Sequence, residues 1–224
     1  MIGAAALISG CGDPPVDARK DWVVDSLRHD HPIFYYDLGS PYAYLAAERV
    51  NGLFAEACGE VPEWRPVLLG ALFRRFDRDS WGNGPDRGTG MAEVERRAAE
   101  YGLPPIRWPD PWPGDMLFAM RAATYAKQIG RTVSFSLAAF RQAFAAGRDL
   151  TDSSNVLLAA AAAEMHPNAV LRVVESASIK DTLREASELA GAQGVRGVPS
   201  VIVEGEVFWG DDRLEEAARA ATAA

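Results

Sequence analysis

Apolar and polar positions along the chain predict strands near both ends and a long helical stretch between them. Residues 33–38 are short, aromatic and almost continuously apolar until Asp37, the pattern of a buried strand. From 41 to 57 the apolar positions recur at helical spacing, with Tyr42, Leu45, Ala46, Val50, Leu53 and Phe54 on one face and Gly59 as terminator. Residues 63–69 predict a second strand, and strand–helix–strand implies a right-handed parallel unit. Near the other end, 200–204 and 207–209 are two short β-segments around Gly205, a hairpin, followed by a helix over 211–221.

The middle is helical. Helices are predicted over 91–101, 116–128, 133–146 (Val133, Leu137, Phe140 and Phe144 in one stripe) and 153–165, the last capped by Thr151-Asp152. Ile179, Leu183, Ala186 and Ala190 mark one more before Gly191. Residues 82–88, rich in Gly, and 108–114, rich in Pro and Trp, read as connectors. No internal repeat is found. The predicted organisation is one α/β domain over 31–224, with a helical insertion of about residues 71–194.

Composition narrows the classes. Apolar residues make up 48% and charged residues 24%, as in an ordinary globular protein. The 23 Lys and Arg against 31 Asp and Glu give −8, which argues against a nucleic-acid backbone as partner. The cysteines, Cys11 and Cys58, form no C-x-x-C, and a structural thiol is the reading for Cys58. The three histidines, His29, His31 and His166, fall in no metal-ligand spacing, so no metal is expected. Residues 1–30 read as flexible or leader-like: Ile8-Ser9-Gly10-Cys11 resembles a lipoprotein cleavage box, but no Lys or Arg precedes the apolar run. The expectation is a cytoplasmic protein without a membrane span, the lipoprotein start being the alternative.

Candidate chemistry centres on Ser40-Pro41, where the first strand turns into a helix. Proline suits the first helical position, and serine before it can accept from the first-turn amides. A hydroxyl there sits where a thiolate or other anion is stabilised. Gly197-Val198-Pro199-Ser200 precedes the hairpin, and proline before a strand invites a cis bond and a chain reversal. Together the two features suggest a thiol site.

The strand with Asp37-x-x-Ser40-Pro41-Tyr42, then Trp64-Arg65-Pro66-Val67-Leu68-Leu69-Gly70, then Gly197-Val198-Pro199 and Phe208-Trp209-Gly210-Asp211-Asp212-Arg213-Leu214, resemble one family in order and separation. It is the 2-hydroxychromene-2-carboxylate isomerases and kappa-class glutathione transferases, within the DsbA-like thioredoxin superfamily. The resemblance implies a DsbA-like thioredoxin fold, with the helical block inserted between a βαβ half and a ββα half. It implies a glutathione-dependent isomerase: thiolate addition, bond rotation and elimination on a conjugated keto acid derived from an aromatic compound. A kappa-like transferase and a non-catalytic thioredoxin-fold binding module are the alternatives. A dithiol oxidoreductase is disfavoured, because Ser40 and Ala43 stand where two cysteines are needed.

The resemblance also implies roles. Ser40 donates to the sulfur of glutathione, or of another low-molecular-weight thiol. Val198, exposed by cis-Pro199, pairs its backbone with the ligand. Asp212, and less closely Asp211, hold the γ-glutamyl end, although acidic residues also suit the first turn of any helix. Asn83 borders the substrate pocket, and Arg87 falls near a family lysine that meets the glycyl carboxylate. By residue type, Trp209, Tyr42 and Trp81 either line an aromatic substrate pocket or belong to the core. Asp37 orients or caps the turn beneath Ser40, while Arg65 and Arg74 are read as solvated or capping. Relatives suggest a homodimer.

Overall fold

In a computed structural model the described residues are 31–222. The leader-like reading of residues 1–30, Cys11 included, lies outside them.

Strand β1 (Ile33–Tyr36) is buried along its whole length. It pairs in parallel with β2 (Glu63–Pro66) and antiparallel with β3 (Ser200–Val203), which pairs antiparallel with β4 (Glu206–Trp209). The sheet order is therefore β2-β1-β3-β4, with β1 and β3 at its centre. Central strands need both faces covered, which is why β1 and β3 read as continuous apolar runs rather than alternating ones.

The predicted helix over 41–57 is two helices, α1 (Pro41–Ala47) and α2 (Val50–Cys58). The chain bends at Glu48-Arg49, where the Arg49 N–H closes a tighter turn onto Ala46 O at 3.0 Å. The Arg49 guanidinium there donates to Asp211 O (3.1 Å), pairs with Glu215 and covers the Tyr101 ring at 3.6 Å. Gly59 ends α2 in the left-handed conformation at φ 77°, as the pattern predicts.

Strand β2 stops at Pro66, and 69–75, whose start had been read as strand, is helix α3 (Leu69–Arg75). Leu68 cannot cap it. The cap comes from 32 residues away: Leu69 N–H donates to Asp37 Oδ2 at 2.8 Å. A local pattern cannot carry that signal.

The glycine-rich stretch read as a connector is a 3₁₀ turn (Trp81–Asn83) leading into α4 (Arg87–Glu100). Its glycines serve packing. A Cβ on Gly90 would sit 2.4 Å from the Trp81 ring, and one on Gly82 2.6 Å from Pro113. Residues 108–114 do form a connector, containing cis bonds at Asp110-Pro111 and Trp112-Pro113.

Helices α5 (Leu117–Gln128) and α6 (Thr132–Phe140) follow, α6 passing into one π-turn (Arg141–Ala145). Then come α7 (Ser153–Ala162), with the predicted Asp152 cap, the short α8 (Pro167–Val173), and α9 (Ala177–Ala192). After the β3–β4 hairpin, a 3₁₀ turn (Asp211–Arg213) opens α10 (Leu214–Thr222). The core is aromatic: Phe34, Tyr36, Tyr44, Phe54, Phe135, Phe140 and Phe144 have no accessible surface. The insertion thus shares one core with the sheet.

Candidate active site at the end of the central strand

The turn from β1 to α1 uses almost every polar group it has. Ser40 N–H donates to Asp37 O (3.1 Å) and Gly39 N–H to Asp37 Oδ1 (2.8 Å). Leu38 N–H meets the Met120 sulfur at 3.2 Å, and the Trp112 indole N–H donates to Gly39 O at 3.1 Å. A turn held at four points cannot drift, so the side chain at its end is fixed.

That side chain is Ser40, almost fully buried. Its Oγ accepts from Ala43 N–H at 3.2 Å, the expected N-cap, and donates to Val198 O at 3.3 Å. The Val198–Pro199 peptide bond is cis. One hydroxyl thereby ties the start of α1 to the segment before β3. Its donor bond is long and neutral, so the proton exchanges readily for a better acceptor. Because α1 has only two turns, its dipole is smaller than that of the predicted helix, and the hydroxyl carries more of any anion binding.

A cavity of about 500 Å³ opens onto this turn. Asp37, Ser40 and Val198 lie on its wall, with Tyr42, Trp81 and Trp112 as an aromatic side. The Tyr42 and Trp81 centroids are 5.9 Å apart and those of Trp81 and Trp112 4.9 Å. Trp209, 42% exposed, also borders it and packs on Gly197, where a Cβ would meet the indole at 3.0 Å.

Two cations reach the cavity. Arg74 lies one helical turn beyond Gly70 on α3, and both line the wall, so the capping or solvated reading of Arg74 is incomplete. Arg78 lies 4.5 Å over the Trp209 ring and donates to Arg196 O at 3.3 Å. Neither forms an ion pair with a carboxylate among the described residues. Recognising 69–75 as a helix would have placed Arg74 here; nothing local signals Arg78 or Trp112. Arg65, by contrast, is held by Glu63 (3.0 and 2.9 Å).

Other predicted site residues stand elsewhere. Asn83 and Arg87 are exposed and do not line the cavity, although Arg87 lies 5.7 Å over the ring of Trp112. Asp211 is 1% exposed; its carboxylate takes Arg97 Nη1 at 2.9 Å and the Tyr101 hydroxyl at 3.0 Å. Burial pushes the Asp211 carboxyl above the usual range despite the Arg97 charge beside it. Asp212 is exposed, 3.4 Å from Arg97, whose guanidinium lies 5.6 Å over the Tyr42 ring. Asp212 thus connects with the cavity wall through Arg97 and Tyr42.

Asp37 titrates unusually. Burial raises its carboxyl to about 6, against the lowering by the Leu69 and Gly39 amides, and the Asp115 charge adds to the rise. Cys58, half-buried on α2, donates to Phe54 O at 3.3 Å and lies off the cavity wall. Among the described residues no group of His, Cys, Asp and Glu could hold a metal ion. No helix there is long and apolar enough to cross a membrane.

Comparison with known proteins agrees with this architecture. The family model of the DSBA-like thioredoxin domain matches residues 33–221. A 2-hydroxychromene-2-carboxylate isomerase from Sphingobium xenophagum is 29% identical over 191 residues, covering 81% of this chain and 93% of that protein. A solved 2-hydroxychromene-2-carboxylate isomerase superposes with a TM-score of 0.71 at 20% identity, over 82% of this chain and 90% of the other. A probable DsbA oxidoreductase from Streptomyces coelicolor gives 0.69 at 21% identity, over 87% and 89%. At such identities the solved structures establish the fold alone.

Proposed function

The chain belongs to the DSBA-like thioredoxin domain family, and from that premise we propose that it is a glutathione-dependent isomerase of conjugated, aromatic-derived keto acids. The observation that carries the reading is the Ser40 hydroxyl on the wall of an aromatic cavity, held by the turn and facing Val198 O. The 29%-identical isomerase supports the reaction class.

Glutathione, when bound, supplies the nucleophilic sulfur. Ser40 turns its proton from Val198 O to that sulfur, keeping Ala43 N–H as its own donor. A free thiol of pKa about 8.5 is only about 3% ionised at pH 7, and a donor that brings it near 7 makes it about half ionised. The Val198 backbone flanks the extended ligand. Arg74 and Arg78 supply cations without carboxylate partners for its carboxylates or the substrate's, and Asp212 meets its α-ammonium from the side of Tyr42. Tyr42, Trp81 and Trp112 hold a planar substrate and exclude water. Protein catalysis here is positioning and electrostatics.

The dithiol chemistry suggested by the oxidoreductase-like structures finds no support at this turn. Ser40 and Ala43 take the two positions that thiols would need, and Cys58 is elsewhere. Calorimetric titration with glutathione, alongside other cellular thiols, tests the cofactor. Product analysis tests the reaction: an isomer without net thiol consumption supports isomerisation. A stable conjugate would make the protein a transferase, and binding without turnover would make it a binding module.

A further inference from the structure

One buried carboxylate joins the two strand-to-helix loops that build the cavity. Asp37 Oδ1 accepts from Gly39 N–H in the loop after β1, and Oδ2 from Leu69 N–H in the loop after β2, each at 2.8 Å. No cation lies within ion-pair distance of Asp37 among the described residues. A cap on α3 alone would need one acceptor, and a turn at Gly39 alone would need one. Serving both loops uses both oxygens of one side chain as acceptors, and the ionised carboxylate, with no proton to place, accepts most strongly at both.

We propose that Asp37 is a positioning residue: its ionised carboxylate locks the two loops together and thereby fixes the Ser40 hydroxyl and the α3 helix that carries Arg74 toward the cavity. The inference rests on the reading of this cavity as a thiol site, but the lock itself does not depend on any ligand. A proton on Asp37 removes the charge and makes one oxygen a weakly accepting hydroxyl, so the hydrogen bond to one loop weakens. The N–H groups of the loop after β2 then keep Leu68 N–H to Ser187 Oγ (2.9 Å) and Val67 N–H to Tyr36 O (3.0 Å), both before α3 begins.

The groups facing Asp37 set where this happens. Asp115, in the connector before α5, is the acidic one, and its charge favours the protonated form. Arg74 and Arg78 border the same cavity from α3 and the turn after it. From α9 the facing residue is the neutral Ser187; α1 and the 197–198 segment add no charge. Burial places the titration at about 6.

Amide hydrogen exchange of the whole chain, followed by NMR as protection factors against pH, tests this without a ligand. Gly39 and Leu69 report the lock, and Ala43, bonded to Ser40 Oγ, reports the hydroxyl. Between about pH 7.5 and 5 all three should lose protection at least tenfold with one midpoint. Asp115→Asn, which keeps an acceptor for the Leu117 N–H it now caps at 2.9 Å, should move that midpoint to lower pH. Asp37→Asn should show low, pH-independent protection at Leu69. Flat protection in the natural chain overturns the lock, and protection that falls at Leu69 but not at Ala43 overturns the link to Ser40. If the three amides respond while glutathione fails to bind, the lock stands and the thiol reading falls. If glutathione binds and the amides stay flat, the reverse holds.

Discussion

Two helix starts with polar first residues invite the same reading, and they do different work. At Ser40-Pro41 the carbonyls and amides of the turn are consumed by Asp37, Met120 and Trp112, so the serine is held rigidly against a cavity of about 500 Å³. At Asp211-Asp212 the first carboxylate is itself consumed, by Arg97 and Tyr101, and Arg49 takes its backbone oxygen. The first start presents a hydroxyl to the cavity wall. The second fastens α10 to α2 and α4, leaving only Asp212 exposed. A polar residue at a helix start becomes functional when other groups satisfy the turn around it.

One large effect that can break this contrast is on stability. Asp211→Ala would leave Arg97 with Glu93 and Asp212, and would orphan the Tyr101 hydroxyl. Removing one partner of a buried pair costs about 3–5 kcal/mol; with two carboxylates remaining, about 2–3 is expected here, or a Tm lower by roughly 5–10 °C. Calorimetric melting would show it. A variant that melts like the natural chain but no longer binds thiol would return Asp211 to the ligand.

Asp37 separates the regions by pH. Its carboxyl binds a proton more tightly folded, near 6, than unfolded, near 3.8. Its contribution to stability is therefore fully present below about 3.8 and is lost as pH rises to about 6, on the order of 3 kcal/mol in all. Site order should move the other way, since the ionised form holds both loops more strongly. Denaturant melts from about pH 3.5 to 7 should show this falling component in the natural chain relative to Asp37→Asn. Parallel pH profiles for the two proteins would remove Asp37 from the account.

Ser40→Ala comes next. Losing a hydrogen bond to a charged sulfur costs about 1.5–3 kcal/mol, a ten- to hundredfold loss of thiol-dependent rate. Losing the cap on α1 costs about 1 kcal/mol of stability, so the fold survives. Thiolate absorbance of bound glutathione should titrate at higher pH in the mutant. Equal rates and equal titrations would reduce Ser40 to a cap.

What the chain discloses in advance follows from how local each cause is. Strand β1, the hairpin, the Ser40 cap and the Gly59 stop depend on neighbours in sequence, and each could be read there. Helix α3 could not, because its cap lies across the sheet at Asp37. The start of α4 was obscured by glycines that make room for Trp81. Ser40, Tyr42, Trp81 and Val198 line the same cavity. Arg78 and Trp112 reach it only through the paths of the 76–80 and 108–114 segments, which no periodicity encodes. Asp211 matched its motif, yet its partner Arg97 is supplied by a helix 114 residues earlier.

The smallest expected effect is the most discriminating for the second helix start. Asp212 is more than half exposed and makes one loose approach to Arg97, so Asp212→Ala should alter stability by only about 0.3–1 kcal/mol. If its carboxylate accepts the α-ammonium of the thiol, that contact lies far from the sulfur and is equal in ground and transition states. Such a contact raises KM and leaves kcat nearly alone. A few-fold to about tenfold rise in KM for glutathione, measured at saturating substrate, is the expected outcome. A fall in kcat at unchanged KM would place Asp212 in the chemical step, acting through Arg97 and Tyr42. No change in either would leave the whole second start structural, and the contrast between the two would be complete.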